Sequence, residues 1–404
     1  MRKVLYISYD GALDPLGKSQ IIPYLASLSR SGNKITLLTF EKRINFSDQK
    51  KLNRQMAEFN NCGINWRYLR YHKRPAVPAT LYDIFHAILV AGKIVQKDRV
   101  GLIHARSYIS GIVAVTLKKI FGIKFIFDIR GLWPDEKVDA GAWKKDGLVY
   151  RVMKFFEKRM FSCADWIVVL SQRGKDLIKE KFSLIGNISV IPTCTDLDLF
   201  VTRGKNVFSS NGDNDKKETV FLYLGSLGSW YMFDAMLDFF CECRNNFENP
   251  AFLFLSNNNG EEVMRQIQKS NLPASECIVK SADYRDLCVE INKAHVSVFF
   301  IRPVYSKIAS CPTKLGESLA CGLPVIINSG IGDTDRLVEK EGVGVVIDDF
   351  SSGSYAKAIT ALKGLLAEGP ELSRRCRLAA EKFFSLDIGV NEYSRIYGIL
   401  RSRQ

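Results

Sequence analysis

Four groups of residues in this chain carry side chains suited to chemistry. The first lies in CPTKLGESLACGLPVI (311–326), where Lys314, Gly316 and Glu317 open a helix-like run that stops at Gly322-Leu323-Pro324 before an apolar strand. If that helix starts near Thr313, the N–H groups of Lys314, Leu315 and Gly316 lack intrahelical acceptors and, with the lysine, suit a phosphate. Gly316 lets such a group approach closely, and the Glu317 carboxylate can accept two hydrogen bonds from a diol. The same spacing also fits a capping box on Thr313 that only stabilises the helix start. The second group is His104, Arg106, Asp128 and Arg130, at the ends of two apolar stretches that read as strands. Polar residues there face the ligand edge of a parallel sheet, although Asp128 and Arg130 can equally form a structural ion pair and His104 can be a hydrogen-bonded core residue. The third is the loop GALDPLGKSQ (11–20), with Gly17 and Lys18 before a helix. The fourth is NWRYLRYHKRP (65–75), which interleaves Trp66, Tyr68 and Tyr71 with Arg67, Arg70, Lys73 and Arg74. Basic-aromatic surfaces of this kind suit a lipid headgroup zone.

The elements that must position these groups follow a regular rhythm. Strands are expected at 3–8, 34–40, 100–105, 124–129, 165–171 and 188–192, with amphipathic helices between them. Residues 202–218 are polar and aperiodic, which predicts a linker or long loop. The rhythm restarts with strands at 219–225, 251–256, 277–281, 295–301, 323–329 and 343–348. This pattern predicts two doubly wound α/β domains whose strand carboxyl ends carry the ligands. Two such domains facing each other make a cleft. A length of 404 residues agrees with two cores.

Composition narrows the function classes. The net charge is +14, and residues 1–200 hold 33 Lys and Arg against 18 Asp and Glu, so the excess sits in the first half. An anionic partner for that half follows: a membrane surface, a nucleic acid or a phosphorylated substrate. No nucleic-acid-binding motif accompanies it. The ten cysteines lie singly except for Cys241 and Cys243, which point apart on a helix, so reduced thiols are expected rather than a zinc site. Neither glycine-bearing loop has the G-x-G-x-x-G spacing of a dinucleotide site. No signal peptide is expected, and the longest apolar stretch, 84–95, is interrupted by His86 and Lys93, so no membrane span is expected either.

The order of these motifs resembles the retaining, nucleotide-sugar-dependent glycosyltransferases of family 4, which have the GT-B fold. The resemblance rests on CPTKLGESLACGLPVI together with SYDGALDPLGKSQIIPYLASLSRSG (8–32), IHARSY (103–108), DIRGLWPDE (128–136), VVLSQ (168–172), VIPTCTDLDLF (190–200) and YLGSLGSWY (223–231). It implies an acceptor-binding Rossmann-like domain over 1–193, a linker over 194–218, a donor-binding domain over 219–382 and a helix over 383–404 returning toward the first domain. It implies that Glu317 holds the ribose, and that Lys314, Thr313, Leu315, Gly316, Gly225 and Ser226 line the donor site with Gly17 and Lys18. His104, Asp128 and Arg130 become candidate catalytic residues, with Arg106, Trp66, Arg67, Arg70, Lys73 and Arg74 on the acceptor or membrane side. Two positions depart from the family. Ala309 stands where many members have a glutamate, and GSLGSWYMFD (225–234) lacks their phosphate-gripping Arg and Lys. Arg302, Lys307 and Lys314 are the cations left for the diphosphate. Same-face attack by the acceptor needs no protein nucleophile. No cofactor or essential metal is expected, since Asp196-Leu197-Asp198 and Asp333-Thr334-Asp335 fall on loops of the wrong architecture for a metal-binding DxD. The resemblance thus implies a hexosyltransferase for cell-surface polysaccharide or lipopolysaccharide, cytoplasmic and peripheral on the inner face of the membrane. The departures keep open a catalytically silent relative that binds nucleotide or a partner enzyme. A sugar-nucleotide epimerase of the same fold is a further alternative.

Overall fold

The computed structural model describes residues 3–183, 186–202, 218–228, 230–256 and 260–402. The strands β1 (Lys3–Ser8), β2 (Lys34–Glu41), β3 (Ile64–Arg70), β4 (Val100–Arg106), β5 (Lys124–Asp128), β6 (Trp166–Val169) and β7 (Ile188–Val190) form one parallel sheet in the order β3-β2-β1-β4-β5-β6-β7. Helices cover both faces, so these strands read as continuous apolar runs: Val4, Leu5 and Ile7, then Ile103 and Ala105, then Phe125, Ile126 and Phe127 are all buried. The register sets Ser8 beside Arg106 and Arg106 beside Asp128, which brings the polar strand ends to one edge.

A second parallel sheet comprises β8 (Glu218–Leu224), β9 (Asn249–Leu255), β10 (Cys277–Lys280), β11 (Val296–Phe299), β12 (Val325–Asn328) and β13 (Gly344–Ile347), in the order β10-β9-β8-β11-β12-β13. Its core is rich in phenylalanine, with Phe221, Phe240, Phe252 and Phe254 fully buried and in mutual ring contact. In both sheets the first strand of the unit is central, and the order reverses on its far side, the doubly wound arrangement.

The chain divides into one unit of Met1–Pro192 with Leu386–Gln404 and another of Thr193–Ser385. The helix Leu386–Ser402 therefore packs in the first unit, where Glu392 accepts a hydrogen bond from Ser189 Oγ (2.7 Å). The expected linker differs in its first part. Residues 194–202 are packed within the second unit: Phe200 is fully buried, Thr195 N–H donates to Phe384 O (2.7 Å), and Arg377 donates to Phe200 O (2.6 Å) and Leu197 O (3.3 Å). Most of the remaining segment, 203–217, lies outside the described residues.

One further expectation is corrected. The stretch 65–75 begins as β3, an edge strand pairing with β2. Its interleaved aromatics and cations are the period-two alternation of a strand. Trp66 is buried, makes tilted ring contacts with Phe59 and Tyr68, and donates from Nε1 to Thr39 Oγ1 (2.8 Å), so it belongs to the core and not to an acceptor or membrane surface. Arg67, Arg70, Lys73 and Arg74 are exposed. In the helix Leu148–Cys163 the buried face is Met153, Glu157, Met160 and Phe161, leaving Val152 exposed and Phe156 only part-buried. Glu157 turns that face inward, because its buried carboxylate accepts from Tyr108 OH (2.8 Å) and pairs with Lys154.

Candidate functional site

In the second unit the candidate site gathers at the carboxyl ends of β8 and β11. The helix Thr313–Ala320 begins after Pro312, and Thr193 Oγ1 fixes its approach by donating to Cys311 O (3.0 Å). No side chain caps this helix, so the capping box is absent; Thr313 is its first residue. From Lys314 onward every residue is buried.

Lys314 reaches toward the first strand of its sheet. Its Nζ lies 3.6 Å from the centroid of the Tyr231 ring, 5.2 Å from Tyr223 and 5.5 Å from Phe299. A Cβ placed on Gly225 would fall 2.5 Å from the same Nζ, and Gly225 has φ 147°, so both space and backbone demand glycine there. The Lys314 side chain is buried with no hydrogen-bond acceptor among the described residues. Burial pushes its pKa down to about 7 against the opposing attraction of Glu317. Glu317 is buried too, and burial pushes its carboxyl up to about 7, with Lys314 acting the other way. Its charge also contributes to raising Tyr231, which burial first pushes to about 12. A lone buried ammonium costs several kcal/mol unless it meets an anion, and the aromatic faces around it offset only part, about 2 kcal/mol.

The other expected donor residues separate into two sets. Ser226 is exposed and its carbonyl accepts from Tyr223 OH (2.9 Å). Arg302 is exposed at the rim of a cavity of about 450 Å³ that Leu227, Gly228, Tyr231 and Gln266 also line. Lys307 is buried with its Nζ 3.9 Å from the Trp230 ring centroid. Leu315 and Gly316 have other duties. Leu315 is a core residue whose N–H donates to Pro312 O (3.2 Å), and a Cβ on Gly316 would meet Thr195 Oγ1 at 2.5 Å and Phe384 at 3.1 Å. Gly316 is needed for packing against Thr195 and the helix Pro370–Phe384.

In the first unit, His104, Arg106, Asp128 and Arg130 do come together. Asp128 Oδ2 accepts from Tyr393 OH (3.1 Å) and lies 3.5 Å from His104 Nε2 and 3.8 Å from Arg106 Nη1; Oδ1 lies 3.7 Å from Arg130 Nη1. His104 Nδ1 meets Tyr397 OH at 2.8 Å, and Arg130 donates to Gln20 Oε1 (3.1 Å). Burial would raise the Asp128 carboxyl, but Arg130, His104 and Arg106 outweigh it and hold it at about 2. Burial lowers His104 despite the carboxylate beside it. Arg130 and Ser107, immediately past β5 and β4, adopt left-handed backbone (φ 52° and 65°), a strain often stored at strand-end sites.

The loop 11–20 is organised by Glu41, the buried last residue of β2. Its carboxylate accepts from Ala12 N–H (2.6 Å), Leu13 N–H (3.4 Å) and Thr39 Oγ1 (2.8 Å). Gly17 sits inside the helix Pro15–Gln20, where a Cβ would collide with the carbonyls of Gly11 and Ala12; Lys18 is half-buried. Sequence reasoning missed Tyr6, whose ring centroid lies 4.4 Å from that of His104, as well as Tyr223, Tyr231, Tyr393, Tyr397 and Glu41. A tyrosine interrupting an otherwise aliphatic strand, as at Tyr6 and Tyr223, was the available signal. Asp335 and Asp196 are engaged locally, accepting from Gly330 N–H (2.9 Å) and from Asp198 N–H (3.1 Å). Among the described residues no group of three His, Cys, Asp or Glu side chains converges.

Comparison with known proteins agrees with this architecture. Residues 24–199 match the profile described as Glycosyltransferase Family 4, and residues 205–383 match Glycosyl transferases group 1. Fold and profiles together define a two-domain Rossmann-like protein of the GT-B glycosyltransferase type. Among curated relatives, a probable glycosyltransferase WbjE of Pseudomonas aeruginosa is 24% identical over 194 residues, covering 47% of this chain and 48% of the relative, so the match spans about half of that protein's length. Among solved structures, sucrose-phosphate synthase from Thermosynechococcus elongatus superposes with TM-score 0.77 at 17% identity over the whole of both chains. HepE of Anabaena, solved with UDP and glucose, superposes with TM-score 0.69 at 13% identity, covering 98% of this chain and all of HepE.

Proposed function

We propose that this chain is a retaining glycosyltransferase that moves a hexose from a nucleotide diphosphate donor to a glycan or lipid-linked glycan acceptor. The observation that carries the donor half is Lys314: a buried ammonium with no hydrogen-bond acceptor, beside Gly225 at the end of β8 and one helical turn from the buried Glu317. A diphosphate meets the charge that Lys314 leaves unpaired, and the ribose diol meets the Glu317 carboxylate. Lys314 then takes the place of the cations that the 225–234 loop lacks, with Arg302 at the rim. In the first unit Asp128 and His104 are positioning residues for Arg106 and Arg130, which line the strand ends offered to the acceptor. The nucleotide complexes of HepE support a sugar-nucleotide donor.

Thermal-shift titration with nucleoside diphosphates and sugar nucleotides of each common base tests this reading. One base series should raise the midpoint of the wild-type chain and fail to do so for Glu317→Ala. If no nucleotide of any base moves the wild-type midpoint, the donor assignment is wrong. The anomeric configuration of the product, read by proton NMR, then tests retention. A chain that binds nucleotide yet neither transfers nor hydrolyses the donor sugar would be the silent relative, for which Ala309 is the residue to blame.

A further inference from the structure

The helix Ala76–Asp98 is turned inside out. A surface helix ordinarily buries its large apolar residues and exposes polar ones. Here the buried set is Ala79, Asp83, Ala87, Ala91, Gly92 and Val95, mostly small. The exposed set is Val77 (49%), Leu81 (61%), Phe85 (60%) and Leu89 (48%), four residues apart, with Tyr82 (54%) beside them. The helix is also long and apolar enough to cross a membrane by length and composition, contrary to the expectation from sequence. It is nevertheless fastened to its unit along one side. A Cβ on Gly92 would sit 3.7 Å from Leu117 and Phe121, so the small face packs closely on the helix Ser107–Phe121. Asp83, fully buried, accepts from Tyr9 OH (2.9 Å) and His72 N–H (3.1 Å) and meets His72 Nδ1 at 2.6 Å, which pins the helix to the segment following β1.

The charge around the stripe has one sign. Lys73 and Arg74 precede it and Lys93 and Lys97 follow it, all exposed. Between residues 73 and 97 the sole acid is Asp83, which faces inward. The helix Leu148–Cys163 repeats the theme: Leu148 (71%), Val152 (43%) and Phe155 (57%) are exposed with Arg151, Lys158 and Arg159. Patches of this size on a water-facing surface mark an interaction site. Apolar side chains framed by cations and free of exposed anions match the acyl-headgroup boundary of an anionic leaflet.

We propose that the helix Ala76–Asp98 lies flat on an anionic lipid surface, inserting Val77, Leu81, Phe85 and Leu89 between headgroups while Lys73, Arg74, Lys93 and Lys97 meet the lipid charge. It lies on the membrane rather than spanning it, because its other face is committed to the protein.

The test is vesicle flotation of the full chain with phosphatidylcholine vesicles and with phosphatidylcholine–phosphatidylglycerol vesicles. The wild type should float with the anionic vesicles only, and raising the salt should weaken the binding. Leu81→Ser/Phe85→Ser should lower the bound fraction by about tenfold or more. Both sites are exposed, and an unchanged thermal midpoint verifies that the double variant is folded. In a second readout, the emission of Phe85→Trp should shift blue on anionic vesicles and be quenched by lipids brominated on the acyl chain. Wild-type protein that stays with the aqueous fraction at low salt overturns the proposal, as does a double variant that floats equally well. If sedimentation without lipid shows a dimer that the double variant abolishes, the face belongs to a second copy of the chain instead.

Discussion

The two units bury charge in opposite ways. In the first, Asp128 is surrounded by Arg106, Arg130, His104 and Tyr393, and its carboxyl is held well below the usual range. In the second, Lys314 and Glu317 are as deeply buried, yet among the described residues no hydrogen bond satisfies the ammonium, and both groups are driven toward neutrality. One arrangement surrounds its carboxylate with two arginines, a histidine and a tyrosine, although Asp128 Oδ1 and Arg106 Nε have no hydrogen-bond partner among the described residues. The other is costly as it stands, and under the donor role proposed above that cost falls when an anion arrives. Bulk charge follows the same division: the first unit has 36 Lys and Arg against 18 Asp and Glu, and the second has 21 against 25. The basic unit surrounds its buried acid with cations, whereas the slightly acidic unit buries a cation with no hydrogen-bond acceptor among the described residues.

Substitution should expose this contrast with opposite signs. Asp128→Ala removes the centre of a paired network and leaves two arginines facing each other, so stability in urea should fall by about 3–5 kcal/mol. Lys314→Met should do the reverse, raising the stability of the ligand-free chain by about 1–4 kcal/mol while abolishing the shift produced by nucleotide. A destabilised Lys314→Met would mean that the ammonium is satisfied in the free protein. Gly316→Ala, which forces Thr195 and Phe384 apart, should cost about 1–3 kcal/mol with nucleotide affinity little changed. A selective loss of nucleotide binding would return Gly316 to the donor site.

Dependence on pH should distinguish the units more gently. Lys314 has a folded pKa near 7, below its unfolded 10.5, so the unfolded chain binds more protons between them and stability should climb over that window as pH rises. Glu317 acts oppositely, raised from 4.5 to about 7, so stability should decline between those values as pH rises. Asp128, lowered from 3.8 to about 2, contributes stability that is complete above 3.8 and lost as pH falls toward 2. A diphosphate favours charged Lys314, so binding above pH 7 should take up a proton. Calorimetry in buffers of different ionisation enthalpy measures that uptake, and Lys314→Met should eliminate it.

Most strands could be placed from sequence because a parallel sheet covered on both faces leaves little choice but a run such as KVLYIS or KFIFD, and these match β1 and β5. The edge strand β3 escaped because one of its faces is wet, and alternating Trp66, Arg67, Tyr68 and Arg70 resembles a binding surface until Thr39 and Phe59 are seen beside Trp66. At the site, Lys314 and Glu317 could be singled out because local spacing defines them. Their surroundings could not. Tyr231 approaches Lys314 from another loop, and Tyr397 approaches His104 across 293 residues of chain. Gly316 was only partly legible for a related reason: glycine signals close approach, and the structure adds that Thr195 and Phe384 are groups that approach it.

The return of the chain at Leu386 has a consequence for biosynthesis. Tyr393 and Tyr397, near the very end, close the polar cluster that β4 and β5 open hundreds of residues earlier. A nascent chain emerging from the ribosome can complete the continuous second unit first, while the earlier-made half waits with Asp128 and His104 uncovered. The first unit's polar cluster thus closes only once the seventeen-residue helix Leu386–Ser402 has been made.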